Sequence, residues 1–250
     1  MHGGGANTSW WDHIAPALAR HRRIVAVDLS GHGMSDHRDG YSLDCWTEEV
    51  IAAAEAGGIA GRAALIGHSM GGFVVIGAAA NHPSRIAGVI ACDSPVTDLD
   101  PELSPAAHFG TNVRVYPSVA EALVRYRTVP PQAQYLPYVL DHVARSSLRE
   151  VTGGWTWQFD RRVFGQFAGQ VRSIALPHLA RIQCPFTLLR SEHGLVTPGI
   201  GDSMRAVVGG RAAVVEVPEA GHHAMLDEPL VLIAAIRTVL AEWERSGVLE

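Results

Sequence analysis

Residues 65–72 read "LIGHSMGG", and a second apolar stretch, "FVVIGAAA" (73–80), follows directly. An apolar run stops at Gly67, and one serine stands between two glycines before the chain turns apolar again. A buried strand that feeds a buried helix through so short a turn must bend sharply. The residue at the bend is strained, and side chains at the flanking positions would collide with neighbouring strands. Glycine at 67 and 71 removes them. The pattern is the G-x-S-x-G nucleophile elbow, which lifts the Ser69 hydroxyl out at the carboxyl edge of a sheet. The next N–H, from Met70, then lies at a helix N-terminus, aimed at any negative charge that develops beside Ser69.

On both sides of the elbow the chain alternates between short β-branched runs and longer helical patterns. "RIVAVD" (23–28), "AALIG" (63–67), "RIAGVIACD" (85–93), "FTLLR" (186–190) and "AAVVEV" (212–217) read as strands. Their apolar residues are continuous rather than alternating, as in a sheet covered on both faces. "LDCWTEEVIAAAEAG" (43–57) has apolar residues at helical spacing and stops at two glycines. The stretch 70–83 is small and apolar all round, a buried helix ended by Pro83. "PLVLIAAIRTVLAEWE" (229–244) opens with proline at a first helical position. Strand–helix alternation of this kind predicts an α/β fold with a parallel sheet and right-handed crossovers.

The alternation lapses between about 97 and 177, where prolines, aromatics and arginines are scattered. The predicted organisation is a core in two parts, 1–96 and 178–250, with an inserted, largely helical cap at 97–177 over the ligand end of the sheet. The 250 residues, 47% hydrophobic, suffice for one large core with such an insertion, and the formal net charge of -5 argues against a nucleic-acid surface. No apolar run approaches the roughly 18 residues of a membrane span. The three cysteines, Cys45, Cys92 and Cys184, are far apart and show no CxxC pair, and the first residues carry no secretory-signal pattern. Reduced thiols in a cytoplasmic protein are expected. The 13 histidines show no metal-ligand spacing; only His222 and His223 are adjacent.

Four motifs in order resemble the α/β-hydrolase superfamily: "HGGGANTSWWDHIAPALA" (2–19), "VDLSGHGMSD" (27–36), the elbow, and "VPEAGHHAMLDEP" (217–229). The resemblance covers nearly the whole chain and implies the α/β-hydrolase fold, a mostly parallel sheet flanked by helices. It implies a small-molecule substrate, no metal and no organic cofactor; oligomeric state is not implied. By resemblance Ser69 is the nucleophile, His222 rather than His223 is its base, and the N–H groups of Gly4 and Met70 form the oxyanion hole. A serine at the elbow points to an acyl-enzyme, whereas dehalogenases and epoxide hydrolases of this fold generally place aspartate there. Ester-like bonds (carboxylic ester, thioester or lactone) are the expected targets. The alternatives are a C–C bond hydrolase or lyase on the same scaffold, and a catalytically weak member that binds a small molecule.

The acid partner of the histidine departs from the pattern. Relatives often carry aspartate at the position of Gly194 in "SEHGLVTP" (191–198). Asp93, ending the strand at 85–93, and Glu192 are the two carboxylates that could replace it. Asp93 is preferred, with Glu192 the alternative. In the cap, Trp155 and Trp157 alternate with Phe159 and would face one side of a strand, as a roof for an acyl pocket or as an anchor to the core. Arg114, Arg125 and Arg127 are candidates for a substrate carboxylate or for the solvated surface. By resemblance, too, a strand should lead into "HGGG" and lie inside the sheet, between "RIVAVD" and "AALIG". Without it, unpaired backbone groups, each costing on the order of 1–3 kcal/mol, would line a gap. The expectation is a fragment or a misassigned start that folds poorly, unless the neighbouring strands close up or another chain fills the space.

Overall fold

The computed structural model describes residues 1–98, 113–166 and 171–249. In chain order the strands are β1 (Ala63–His68), β2 (Ile86–Cys92), β3 (Leu148–Val151), β4 (Gly154–Trp157), β5 (Phe186–His193) and β6 (Ala213–Gly221). The helices are α1 (Ala15–Leu18), α2 (Leu43–Ala56), α3 (Met70–Asn81), α4 (Val119–Val124), α5 (Pro137–Ser146), α6 (Val171–Leu179), α7 (Pro198–Val207), α8 (Ala224–Asp227) and α9 (Pro229–Arg245). Strands β1, β2, β5 and β6 form one sheet in the order β1-β2-β5-β6, every pair parallel. β5 and β6 run further than their apolar cores, to His193 and Gly221, which pair with each other at the sheet's carboxyl edge.

Continuous apolar strands follow from burial on both faces. Val89, Ala91 and Leu188 point into a core with α2, α3 and α7, whereas Ile90, Cys92 and Leu189 point into a second core with α1, α8 and α9. α3 is buried from Met70 to Ala79, as its composition predicts. α2 starts where the Ser42 side chain accepts the Cys45 N–H at 3.1 Å. Its Trp46 is fully buried, donates from the indole to the Ser30 carbonyl (3.2 Å) and stacks on Tyr41. Cys45, Cys92 and Cys184 are free thiols. Among the described residues no helix is long and apolar enough to cross a membrane.

Residues 23–28 depart from the sequence reading. They are not a hydrogen-bonded strand, because β1 does not come alongside them. A groove of about 120 Å³ lies between, lined by Val25, Val27 and Ala53 on one side and Ala64 and Leu65 on the other. The two walls have not closed up. Met1 sits at one end, its amine donating to the Ile66 carbonyl (2.5 Å) and its carbonyl accepting the His68 N–H (3.1 Å). Loop 28–36 is built around Asp28, whose carboxylate accepts the N–H groups of Thr8 (2.7 Å) and Met34 (2.9 Å).

Between β2 and β5 the chain leaves the sheet. The described part of this stretch contains α4, α5, α6 and a β3–β4 antiparallel hairpin; residues 99–112 and 167–170 of the expected cap lie outside the described residues. The hairpin arises because Gly153 and Gly154, both at positive φ, turn the chain between two β-prone runs. α6 packs on α3, with Ala175 and Leu179 in the core beneath.

Trp46→Ala is expected to lower the unfolding free energy in urea by about 3–5 kcal/mol, the cost of an aromatic-sized cavity in a core that cannot collapse. A loss below about 1 kcal/mol would mean that α2 is not packed as described.

Candidate active site

Three strand ends supply the site. Ser69 follows β1, Asp93 follows β2 and His222 follows β6, so the parallel sheet brings residues far apart in sequence to one carboxyl edge. Ser69 has φ 53° and ψ -121°, in the left-handed half of the map that non-glycine residues avoid. Its N–H donates to the Cys92 carbonyl at 3.1 Å, which ties the bend to β2. The glycines are required by contact: a Cβ at Gly67 would lie 2.3 Å from the Gly71 carbonyl oxygen, and one at Gly71 2.4 Å from that of His2.

His222 joins the other two. Its Nε2 lies 3.1 Å from Ser69 Oγ and its Nδ1 2.6 Å from Asp93 Oδ2. The carboxylate can only accept, so Nδ1 carries the proton and Nε2 is left to accept from the serine hydroxyl. Asp93 is 1% exposed and also accepts N–H groups from Leu195 (2.7 Å), Ser191 (3.2 Å) and Val196 (3.2 Å). Burial alone would raise its pKa; the hydrogen bond and charge of His222, with the Leu195 and Val196 N–H groups, outweigh burial and hold it below the ordinary carboxylate value.

Gly194 is accounted for by the same carboxylate. A Cβ at 194 would stand 2.3 Å from Asp93 Oδ2 and 2.5 Å from its Cγ. The Asp93 carboxylate therefore reaches from the end of β2 into space that a side chain in the β5 loop would fill. Glu192 is exposed and accepts the Glu219 N–H at 2.9 Å, away from His222.

Two further histidines brace this loop: His223, weighed against His222 in the sequence, and His68, which no sequence signal singled out. His68 Nε2 donates to the His222 carbonyl at 2.8 Å. His223 turns away, donating from Nε2 to the Pro130 carbonyl (3.1 Å) while its own N–H donates to Gln132 Oε1 (2.9 Å). Burial, then the charge of His222, pushes the pKa of His68 down to about 3 and that of His223 well below its usual value. Ring nitrogens of His68, His222 and His223 lie within 4.8 Å of one another, a closeness that chain spacing could not reveal. Both nitrogens of His222 are engaged, so only Nδ1 of His68 and of His223 remains without a hydrogen-bond partner to offer a metal.

The "HGGG" loop lies against the elbow. A Cβ at Gly3 would meet Ser69 Cβ at 3.3 Å, and one at Gly4 would meet Met70 Sδ at 3.6 Å. Among the described residues, neither the Gly4 nor the Met70 N–H donates a hydrogen bond within the protein. His2 fixes the loop: its Nε2 accepts the Leu29 N–H (3.1 Å), so its Nδ1 carries the proton and donates to the Gly3 carbonyl (2.8 Å).

Beside Gly4 and His223 opens a cavity of about 450 Å³. Trp157 and Phe159 line it. Trp155 does not; it packs with Tyr116 and Leu148 on the cap, because its backbone bridges to Tyr116. Arg125 and Arg127 also line the cavity, joined by Arg161, which sequence reading missed. Arg114 stays outside, over the ring of Tyr116 at 5.3 Å.

A strained serine, a buried histidine and a buried aspartate at the carboxyl edge of a parallel sheet are the features of an α/β-hydrolase site. The family model described as "Alpha/beta hydrolase family" matches residues 1–236, and the chain belongs to that family. It is 29% identical to the Esterase Rv0045c of Mycobacterium tuberculosis over 96% of this chain and 81% of that one. Over 90 residues it is 40% identical to a pimeloyl-[acyl-carrier protein] methyl ester esterase of Edwardsiella ictaluri, covering 36% of this chain and 33% of that protein. Its fold superposes on the crystal structure of E-2-(acetamidomethylene)succinate hydrolase with a TM-score of 0.82, at 24% identity, covering 96% of this chain and 89% of the other.

The buried histidines set the acid limb of stability. Burial, the dominant cause, depresses the folded pKa to about 4 at His2 and about 3 at His32 and His68. Unfolded histidine titrates near pH 6.5, so between there and about pH 4 the unfolded chain binds more protons. Stability is therefore expected to fall as pH drops from 7 to 4.5, each histidine contributing up to about 1.4 kcal/mol per pH unit. Urea unfolding across that range checks it; a flat profile would contradict buried neutral rings.

Proposed function

We propose that the protein is a serine hydrolase that cleaves an ester-like bond (carboxylic ester, thioester or lactone) of a small molecule through an acyl-enzyme. The observation that carries this reading is the unbroken hydrogen-bonded chain from Ser69 Oγ through His222 to Asp93. Similarity to proteins named as esterases supports the same bond class.

In the proposed mechanism Ser69 Oγ attacks the carbonyl carbon while His222 Nε2 takes the hydroxyl proton. Negative charge moves to the carbonyl oxygen, where the Gly4 and Met70 N–H groups donate to it. As the tetrahedral intermediate collapses, the bond to the leaving oxygen or sulfur breaks and His222 returns its proton to that atom. Water then attacks the acyl-enzyme, again losing a proton to Nε2, and Ser69 is released with the carboxylic acid. Asp93 keeps the imidazole in the required tautomer and stabilises the transient imidazolium. His68 acts as a positioning residue through the His222 carbonyl.

A fluorophosphonate probe, which phosphonylates activated serines, is expected to label the wild type and not Ser69→Ala. With 4-nitrophenyl esters, Asp93→Asn should lower kcat by about 10⁴-fold, as loss of the tautomer-fixing acid does in other triads. Glu192→Gln should leave kcat near wild type. An unlabelled, well-folded wild type would refute the reading; an inactive Glu192→Gln beside an active Asp93→Asn would move the acid to Glu192.

A further inference from the structure

The cavity next to the elbow has a charge that the proposed chemistry does not use. Arg125, Arg127 and Arg161 all line it, and no aspartate or glutamate is found among its described lining residues. The chain as a whole carries a formal charge of -5, so this positive concentration runs against the average. The acids nearest in sequence are occupied elsewhere: Asp160 is bound by Arg162 (2.7 Å) and Tyr41 (2.8 Å), and Glu121 by the α4 cap residue Ser118. Among the described residues Arg127 donates only to the backbone carbonyls of Val124 and Tyr126, which orient the guanidinium without neutralising it. Arg125 makes no ion pair among the described residues. Tyr126, Trp157 and Phe159 put aromatic rings on the wall, and Gly4 and His223 line it as well.

We infer that this cavity binds a carboxylate on the part of the substrate remote from the scissile bond, so that the preferred substrate is an ester whose other end is an anion. The inference rests on the serine-hydrolase reading and names the substrate class of that same site. A guanidinium presents a planar fork of donors that matches a carboxylate, and Arg125 and Arg127, which make no ion pair among the described residues, can attract and orient such a group at an aromatic-walled cavity. At about 450 Å³ the space suits a short, flexible acyl chain rather than a long lipid tail. The aromatic wall packs the methylenes and the arginines hold the terminal charge, which sets the reacting carbonyl at Gly4 and Ser69.

The test compares two 4-nitrophenyl esters of equal acyl length, the hemiglutarate and the valerate, which differ by a carboxylate in place of a methyl. The wild type is expected to favour the hemiglutarate by tenfold or more in kcat/KM. In Arg125→Gln/Arg127→Gln that preference ratio should fall toward one. A ratio cancels any loss of folded protein. A wild-type ratio at or below one, with valerate turned over, overturns the carboxylate site and leaves the hydrolase reading standing. Calorimetric titration of glutarate into Ser69→Ala reads the site without chemistry. Binding that weakens tenfold or more on adding the double arginine substitution supports the anion site even if no ester is cleaved, whereas no binding, or binding indifferent to the arginines, overturns it.

Discussion

The carboxylate of Asp93 occupies the space above Gly194, and the geometry of the site depends on that placement. A buried carboxylate is costly unless every lone pair is used. Here one oxygen takes the His222 Nδ1–H and the Leu195 N–H, and the other takes the N–H groups of Ser191 and Val196. The same anion therefore folds the β5–α7 loop around itself and orients the imidazole. Asp93 adopts φ 43°, a left-handed conformation that is strained for an aspartate, and the four donors hold it there.

Strain is concentrated where the sheet ends. Ser69 and Asp93, both at positive φ, terminate adjacent strands, and the Ser69 N–H donates to the residue before Asp93. Buried β1 and β2, paired from Ala63 to Cys92, supply the rigidity that keeps two unfavourable conformations in place. His68 and Gln132 tie the third strand end, the His222 loop, to the elbow and to the inserted segment. A site built this way is preorganised: its donors and acceptors are set before any substrate arrives.

Much of this was legible in the sequence, for physical reasons. The elbow could be read because its contacts tolerate only glycine at 67 and 71. β2, β5 and α3 could be read because burial on both sides leaves an unbroken apolar signature, and β6, a largely exposed edge strand, from its β-branched run. Asp93 could be preferred to Glu192, but its contact with His222 could not be read, since that is a distance between two loops. The expected strand at 23–28 failed because a strand is a relation to a partner, and the run "RIVAVD" carries the propensity without the pairing. Arg161 beside the cavity and the approach of His68 to His222 and His223 are products of tertiary structure and leave no local pattern.

The bond between Asp93 and His222 is the most direct measure of the account. A proton shared by a buried imidazole Nδ1 and a carboxylate at 2.6 Å should give a resolved, far-downfield NMR resonance in the resting protein. That resonance is expected to vanish in Asp93→Asn and to persist in Glu192→Gln. Its survival in Asp93→Asn, or its loss in Glu192→Gln alone, would contradict the site as described.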